Sequence, residues 1–265
     1  MEPFSSLRQQ ISELSDDKRE REKGRIMLAD SSYFGFLQRL TGSNEAKLKQ
    51  IESDFRGDSD FFRAFLPSLR ELEGLQNAGD LRFHSFTLYA CVRALQPRLV
   101  VETGVAHGKS SSLILLALSH NGFGNLVSFD LPPNGKLADG SKTALSGREV
   151  GWLVPEYLRS YWNLNLRDSV DGLSSMFGAR HGTGSDRSRV APEIDIFFHD
   201  SLHTYSHLSA ELKIVKETMS SNCLFLADNM EMDSGRGFED FCVQESLTLE
   251  VFGNLGACRR NLLQI

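Results

Sequence analysis

Leu99-Val100-Val101-Glu102-Thr103-Gly104-Val105-Ala106-His107-Gly108-Lys109-Ser110 joins an apolar, β-branched run to a glycine-spaced loop, and a small-then-aliphatic run follows to Leu118. Strand, glycine loop and helix form the first half of a βαβ unit. Glycines admit backbone conformations that a Cβ forbids and let a ligand come close. The free N–H groups at the helix start favour a negative group there. A phosphate loop needs four residues between Gly and Gly-Lys-Ser/Thr, and here only Val105, Ala106 and His107 intervene. A dinucleotide loop needs Gly-x-Gly-x-x-Gly, but position 106 is Ala and position 109 is Lys. A tight turn with no ligand is the plainest alternative.

Composition sets the outer bounds. The chain has 265 residues, enough for one large α/β domain with a small accessory region. With 40% hydrophobic and 24% charged residues it reads as an ordinary globular protein. The net charge of −6 gives no basic field for nucleic acid, which favours a small-molecule substrate. Cys91, Cys223, Cys242 and Cys258 are widely spaced, which argues against a zinc site or a disulfide framework and suits a reducing cytoplasm. No signal-like N-terminus and no run of about 18 apolar residues appears, so no membrane span is expected.

Residues 1–80 read as a helical N-terminal cap and 81–265 as the main domain. A polar, mixed-sign tail (1–22) precedes helical spacing that starts at Ile26 and Leu28 and runs through Phe34, Phe36, Leu37, Leu40, Phe61, Phe62, Phe65, Leu66, Leu69, Leu72 and Leu75. Gly42-Ser43-Asn44 and Gly57-Asp58-Ser59 interrupt it. A helix over 81–95 carries His84 and stops at Pro97.

The remaining elements alternate. Asn125 to Asp130 is the second strand, and Asn163 to Asp168 a weak third one. A helix spans 155–162, another 170–177. Glu193 to Phe198 is the fourth strand, with a helix from there to Met219, and Cys223 to Ala227 is the fifth. A helix covers 238–243, and 247–263 reads as a closing hairpin. The fold class is therefore α/β, a Rossmann-like doubly wound, mostly parallel sheet with a closing antiparallel hairpin. The loop-like stretch 131–155 is a candidate lid containing Trp152, and 178–192, with His181, is a surface loop. His207 is expected to be exposed.

Ligands in such sheets sit outside the carboxyl ends of the strands. Those tips carry Glu102, Asp130, Asp168-Ser169, Asp200 and Asp228-Asn229. A carboxylate at Asp130 can accept both hydroxyls of a ribose; its alternative is a helix cap. Asp200, Asp228 and Asn229 come from adjacent strands and are hard oxygen donors suited to Mg²⁺.

Glu102-x-Gly104-x-x-x-Gly108 resembles the first motif of class I S-adenosylmethionine-dependent methyltransferases. Asp195-Ile-Phe-Phe-His-Asp200-Ser-Leu-His203 and Leu226-Ala-Asp228-Asn229 resemble the metal-binding segments of catechol and caffeoyl-coenzyme A O-methyltransferases. His199-Asp-Ser-Leu-His-Thr-Tyr205 and Gly151-Trp-Leu-Val-Pro155 are closer still to the bacterial macrocin O-methyltransferase-like group. The resemblance spans roughly residues 80–245. It implies that Glu102, Gly104, Ala106, Gly108 and Ser110 line the methionine end of the cofactor, that Asp130 holds its ribose, and that Asp168 and Ser169 flank its adenine. It implies a divalent cation, Mg²⁺ or another, on Asp200, Asp228 and Asn229, and a general base at His203, where the catechol-type enzymes carry lysine. The expected activity is O-methylation of a small hydroxylated molecule, a sugar or secondary metabolite. A metal-independent methyltransferase and a non-catalytic S-adenosylmethionine-binding protein are the alternatives. The candidate assembly is a homodimer through the N-terminal helices.

Overall fold

The computed structural model describes residues 31–74, 83–133, 145, 147–178 and 192–260. The tail 1–22, Ile26, Leu28, Leu75, the His84 side chain, the loop around His181 and residues 134–144 of the candidate lid lie outside the described residues. Among the described residues three helices come first, α1 (Ser31–Thr41), α2 (Glu45–Gly57) and α3 (Ser59–Gly74). Their breaks are capped as the polar triplets predict. Asn44 accepts from Lys47 N at 2.9 Å, and Asp58 accepts from Phe61 N at 2.7 Å.

The alternating core follows: α4 (Phe83–Leu95), β1 (Leu99–Thr103), α5 (Lys109–Asn121), β2 (Asn125–Asp130), β3 (Trp162–Leu166), α6 (Ser169–Phe177), β4 (Ile194–His199), α7 (Tyr205–Val215), β5 (Met219–Ala227) and α8 (Asp233–Gln244). The hairpin β6 (Leu249–Phe252) and β7 (Leu255–Arg259) ends the described chain. The sheet order is β3-β2-β1-β4-β5-β7-β6. β1 to β5 pair in parallel, and β7 closes antiparallel against β5. The strand order reverses between β1 and β4, which places the ligand crevice of a doubly wound sheet at those two tips.

Strand alternation sorts the core into two layers. Val100, Leu126, Ile196, Phe198, Leu224 and Leu226 pack with α1 to α5. Val101, Val127, Phe129, Phe197, Phe225 and Ala227 pack with α6, α7 and α8. The N-terminal helices share the first layer: Phe36, Phe55, Phe65 and Leu69 belong to one apolar cluster with α4, α5 and the sheet. Tyr33 of α1 lies 5.1 Å, centroid to centroid, from Phe252 of β6. All four cysteines are buried free thiols.

Several boundaries differ from the sequence reading, among them the end of β3, at Leu166 rather than Asp168. The helix expected over 155–162 is a 3₁₀ turn, Glu156–Tyr161, and Trp162 already belongs to β3, paired with Leu126. The helix after β4 ends at Val215 rather than Met219, because Thr218 N bonds back to Val215 O and Ile194 N bonds Thr218 O. Met219 therefore begins β5, opposite Ile194. Finally, α8 starts at Asp233, five residues before Phe238, since the small residues Ser234 and Gly235 fit its buried first turn.

Candidate active site

Strand alternation decides what Glu102 does. Val101 and Thr103 face α7, so Glu102 faces α5. Its fully buried carboxylate accepts from Ser110 Oγ (2.6 Å), Ser111 Oγ (2.6 Å) and Ser128 Oγ (2.7 Å). Glu102 thus lies beneath the glycine loop and ties β1, β2 and the start of α5 together; its hydroxyl partner Ser110 is engaged there too. Burial raises Glu102 to about 7, against the three serine hydrogen bonds, which lower it. The folded protein then holds a proton on Glu102 at pH values where the unfolded chain has released it. This contribution to stability is complete below about 4.5 and is lost as pH rises through about 7. Comparing wild type with Glu102→Gln by denaturant unfolding, we expect wild type to lose about 3 kcal/mol relative to the variant between pH 4.5 and pH 8. A difference that does not move with pH would contradict this environment.

Above Glu102 the loop opens. Gly104, Ala106 and Gly108 have φ of +83°, +46° and +90°. Val105 N and Ala106 N both donate to Asp130 Oδ2, at 2.8 and 2.6 Å, and Leu131 N donates to Asp130 Oδ1 at 2.6 Å. Consecutive amides gripping a carboxylate form an anion-accepting concavity. Burial raises the Asp130 carboxyl, opposed by those three backbone bonds. One wall of the loop is the C-terminal part of the candidate lid. Gly151 N bonds Ala106 O (2.9 Å), Leu153 N bonds His107 O (3.0 Å) and Trp152 Nε1 donates to His107 Nδ1 (2.9 Å). Arg148 stacks over Trp152 and pairs with Glu71 of α3, so the helical cap reaches this wall.

At the β3 tip, Asp168 caps α6, accepting from Val170 N (2.9 Å) and Asp171 N (3.2 Å). Ser169 is buried and turned inward, with its hydroxyl on Glu211 and 2.9 Å from His207 Nε2. It is therefore packed under the crevice rather than along it. His207, expected at the surface, is half-buried and lies 3.1 Å from Glu211; its i, i+4 spacing to Glu211 brings it inward. The Tyr205 hydroxyl donates to Asp240 Oδ2 at the surface (2.9 Å).

Asp200 and Asp228 follow directly on His199 and Ala227, which are paired across β4 and β5. Asp200 N bonds Thr103 O (2.8 Å), and Asp228 N bonds His199 O (3.0 Å), so both acids stand at the same edge. Asn229 has φ +58°; its Nδ2 donates to His203 Nε2 at 2.8 Å, and its Oδ1 accepts from Asn254 Nδ2 at 3.1 Å. His203 Nε2 is 3.8 Å from Asp200 Oδ1. This hydrogen bond leaves the proton of the neutral His203 ring on Nδ1, which is buried without a hydrogen-bond partner among the described residues. Burial lowers His203 below the usual imidazole range, with His199 adding to the effect. Among the described residues no group of three or more His, Cys, Asp or Glu is placed to hold a metal ion, so a cation here would need the Asn229 amide as its third protein donor.

The sequence reading missed the hub of this edge, Glu211. Fully buried on α7, it receives Thr103, Ser169, His199, Ser201 and His207. A signal was present: Glu211 lies one turn beyond His207 and one residue before Leu212, on the apolar side of the helix. Cavities of about 690 Å³, among α6, α7 and α8, and about 640 Å³, at the opposite strand ends, are lined by none of the candidate site residues.

Residues 101–230 match the family described as Methyltransferase domain. No curated protein matches the chain. Among solved structures, the chain is similar to the O-methyltransferase TomG of Streptomyces achromogenes, which is involved in tomaymycin synthesis and was solved with S-adenosylmethionine. The TM-score is 0.52 at 15% identity, over 77% of this chain and 90% of that one. It is also similar to the methyltransferase PaMTH1 of Podospora anserina, bound to S-adenosylhomocysteine, with a TM-score of 0.53 at 12% identity over 79% and 96% of the two chains. Cofactor-bound Rv0187 from MTB gives 0.53 at 15% identity over 77% and 91%. At these identities the likeness establishes the fold. No helix among the described residues is long and apolar enough to cross a membrane. The matched domain, the doubly wound sheet with its antiparallel closing strand and the glycine loop at the first strand tip agree: residues 101–230 form a methyltransferase domain, and the chain has the fold of the S-adenosylmethionine-bound methyltransferases it resembles.

Proposed function

We propose that this methyltransferase transfers its methyl group to an oxygen of a small hydroxylated molecule, assisted by a divalent cation. The observation that carries the reading is the pair of acids at matched positions of β4 and β5, Asp200 and Asp228, with His203 beside them and the glycine loop one strand away. The donor set fits both groups. A glycine loop at the first strand tip, with the Asp130 carboxylate at the neighbouring tip held against its amides, suits a nucleoside bearing hydroxyls. Two carboxylates and an amide oxygen suit Mg²⁺. When bound, S-adenosylmethionine supplies an electrophilic methyl and the cation eases ionisation of the acceptor hydroxyl.

The chain's own residues supply the rest. Asp200, Asp228 and Asn229 would hold the cation. His203, neutral at pH 7 through its burial, takes the hydroxyl proton on Nε2, the nitrogen that Asn229 now holds. The wall 147–154 fixes the loop and orients the cofactor end, and the dominant contribution of the protein is alignment of oxygen and methyl. A dimer through the N-terminal helices and a cytoplasmic location remain part of this proposal.

A metal-independent methyltransferase is the second reading. It is favoured by the Asn229 oxygen, which Asn254 already occupies. Titration calorimetry with S-adenosylmethionine, followed by turnover on a panel of hydroxylated acceptors with EDTA or with Mg²⁺, separates the two. We expect cofactor binding in EDTA, and turnover that EDTA abolishes and Mg²⁺ restores. Turnover indifferent to EDTA establishes the second reading, and binding with no turnover on any acceptor points to a non-catalytic binding protein.

A further inference from the structure

We propose that Glu211 is the positioning residue of the acceptor site: it grips the chain on both sides of Asp200 and thereby fixes the directions of Asp200 and His203. This inference rests on the proposed roles of those two residues. His199 Nδ1 lies 2.7 Å from Glu211 Oε2, and Ser201 Oγ donates to Glu211 Oε1 at 3.0 Å. In extended chain, residues 199 and 201 share one side and residue 200 takes the other. Anchoring both neighbours beneath the sheet edge therefore commits the Asp200 side chain to the crevice.

The same anchor reaches His203. The His199 ring meets the His203 ring edge to face, 5.8 Å between centroids. His199 is fully buried, and its Nε2 has no hydrogen-bond partner among the described residues, so its orientation depends on Nδ1, held by Glu211 and, at 3.3 Å, by Ser201 Oγ, itself bonded to Glu211. Thr103 Oγ1 also donates to Glu211, at 3.1 Å, while the Thr103 carbonyl receives Asp200 N. One carboxylate on α7 thus collects the tips of β1 and β4 and the start of α6, the elements that carry the glycine loop, the acid–histidine pair and the Asp168 cap. A buried carboxylate that receives five side chains has no freedom to reorganise, which is what a precise site demands of the groups behind it.

The test uses the full chain and readouts that need no acceptor substrate. Glu211→Gln and the milder Ser201→Ala are compared with wild type for S-adenosylhomocysteine affinity by calorimetry, for Mn²⁺ affinity by electron paramagnetic resonance, and for the His203 Cε1–H signal by NMR at pH 8. We expect S-adenosylhomocysteine affinity within about 3-fold of wild type, Mn²⁺ affinity weakened about 10- to 100-fold in Glu211→Gln, and a displaced or broadened His203 signal in both variants, smaller in Ser201→Ala. A general collapse of the fold would move all three readouts together, whereas positioning moves the last two. If Glu211→Gln does not fold, the His203 signal in Ser201→Ala decides. An unmoved His203 signal in the folded variants overturns the inference. Should wild type bind no Mn²⁺, the cation falls out of the proposed function, and a displaced His203 signal still supports the positioning role.

Discussion

Gly104→Ala is expected to lower the melting temperature by roughly 10 °C and to abolish cofactor binding, while Gly122→Ala, equally left-handed, costs a few degrees and leaves binding intact. Both glycines have positive φ, +83° and +75°. An added Cβ at Gly122 meets nothing within 4 Å, so only the backbone strain is felt, about 1 kcal/mol. A Cβ at Gly104 would run into the backbone carbonyl of Asp200 and the amide of Ser201. Neither partner is a flexible side-chain end. Asp200 N is bonded to Thr103 O and Ser201 Oγ to Glu211, so the segment cannot retreat without breaking the edge of the sheet. Strain of about 1–3 kcal/mol and overpacking of about 1–3 kcal/mol then act together, out of a total stability on the order of 5–15 kcal/mol. Thermal unfolding and S-adenosylhomocysteine calorimetry on the two variants check this. Equal melting temperatures would mean that the glycine loop and the 200–201 backbone do not touch as described.

That contact also shows where sequence reasoning stops. The glycine pattern announces a loop that bends sharply, and the strand-tip acids announce an edge, because both are local signals. Val100 to Thr103, Leu126 to Phe129, Ile194 to Phe198 and Cys223 to Ala227 are legible as strands for the same reason: largely buried on both faces, they are predominantly apolar, with Glu102, Thr103, Ser128 and Asp195 as the polar exceptions. The fold class follows from their alternation with helices. What Gly104 avoids is not local. Its neighbour is 96 positions away, and only the reversal of strand order between β1 and β4 brings the two together.

Side-chain direction is the second point. An acid at the end of a strand reads as a ligand, yet period-two alternation sends Glu102 toward α5 and Thr103 toward α7. Counting from Val101 would have placed Glu102 beneath the loop, because Ser110, Ser111 and Ser128 are visible in the sequence as its hydroxyl partners. Ser169 and His207 turn inward for a different reason. Polar residues at a helix start normally face water, and only a buried acid on the next helix, Glu211, draws them in. Nothing in the sequence fixes that crossing of α6 and α7.

His203→Ala carries the other large expectation, a fall in kcat of about 10²- to 10⁴-fold on a competent acceptor, with cofactor affinity within 2-fold or so of wild type. The two effects separate because His203 stands on the β4 side of the crevice, bonded to Asn229, whereas the cofactor loop is held by Asp130 and the 151–153 backbone. The cost to stability is small: one half-exposed hydrogen bond, about 1 kcal/mol. The pH dependence follows from the environment of the ring. Burial, and then His199, keep His203 below the ordinary imidazole range near 6.5, so the neutral ring predominates at pH 7. Rate is lost only as pH falls through the lowered value, which puts the acid limb of kcat/KM below pH of about 6.5, and the Ala variant lacks that limb. Free imidazole added to His203→Ala has a vacated space to enter and should return part of the rate. A variant that keeps its rate within 10-fold or so and retains the acid limb would remove His203 as the base and leave proton removal to Asp200, whose Oδ1 lies 3.8 Å from the same ring.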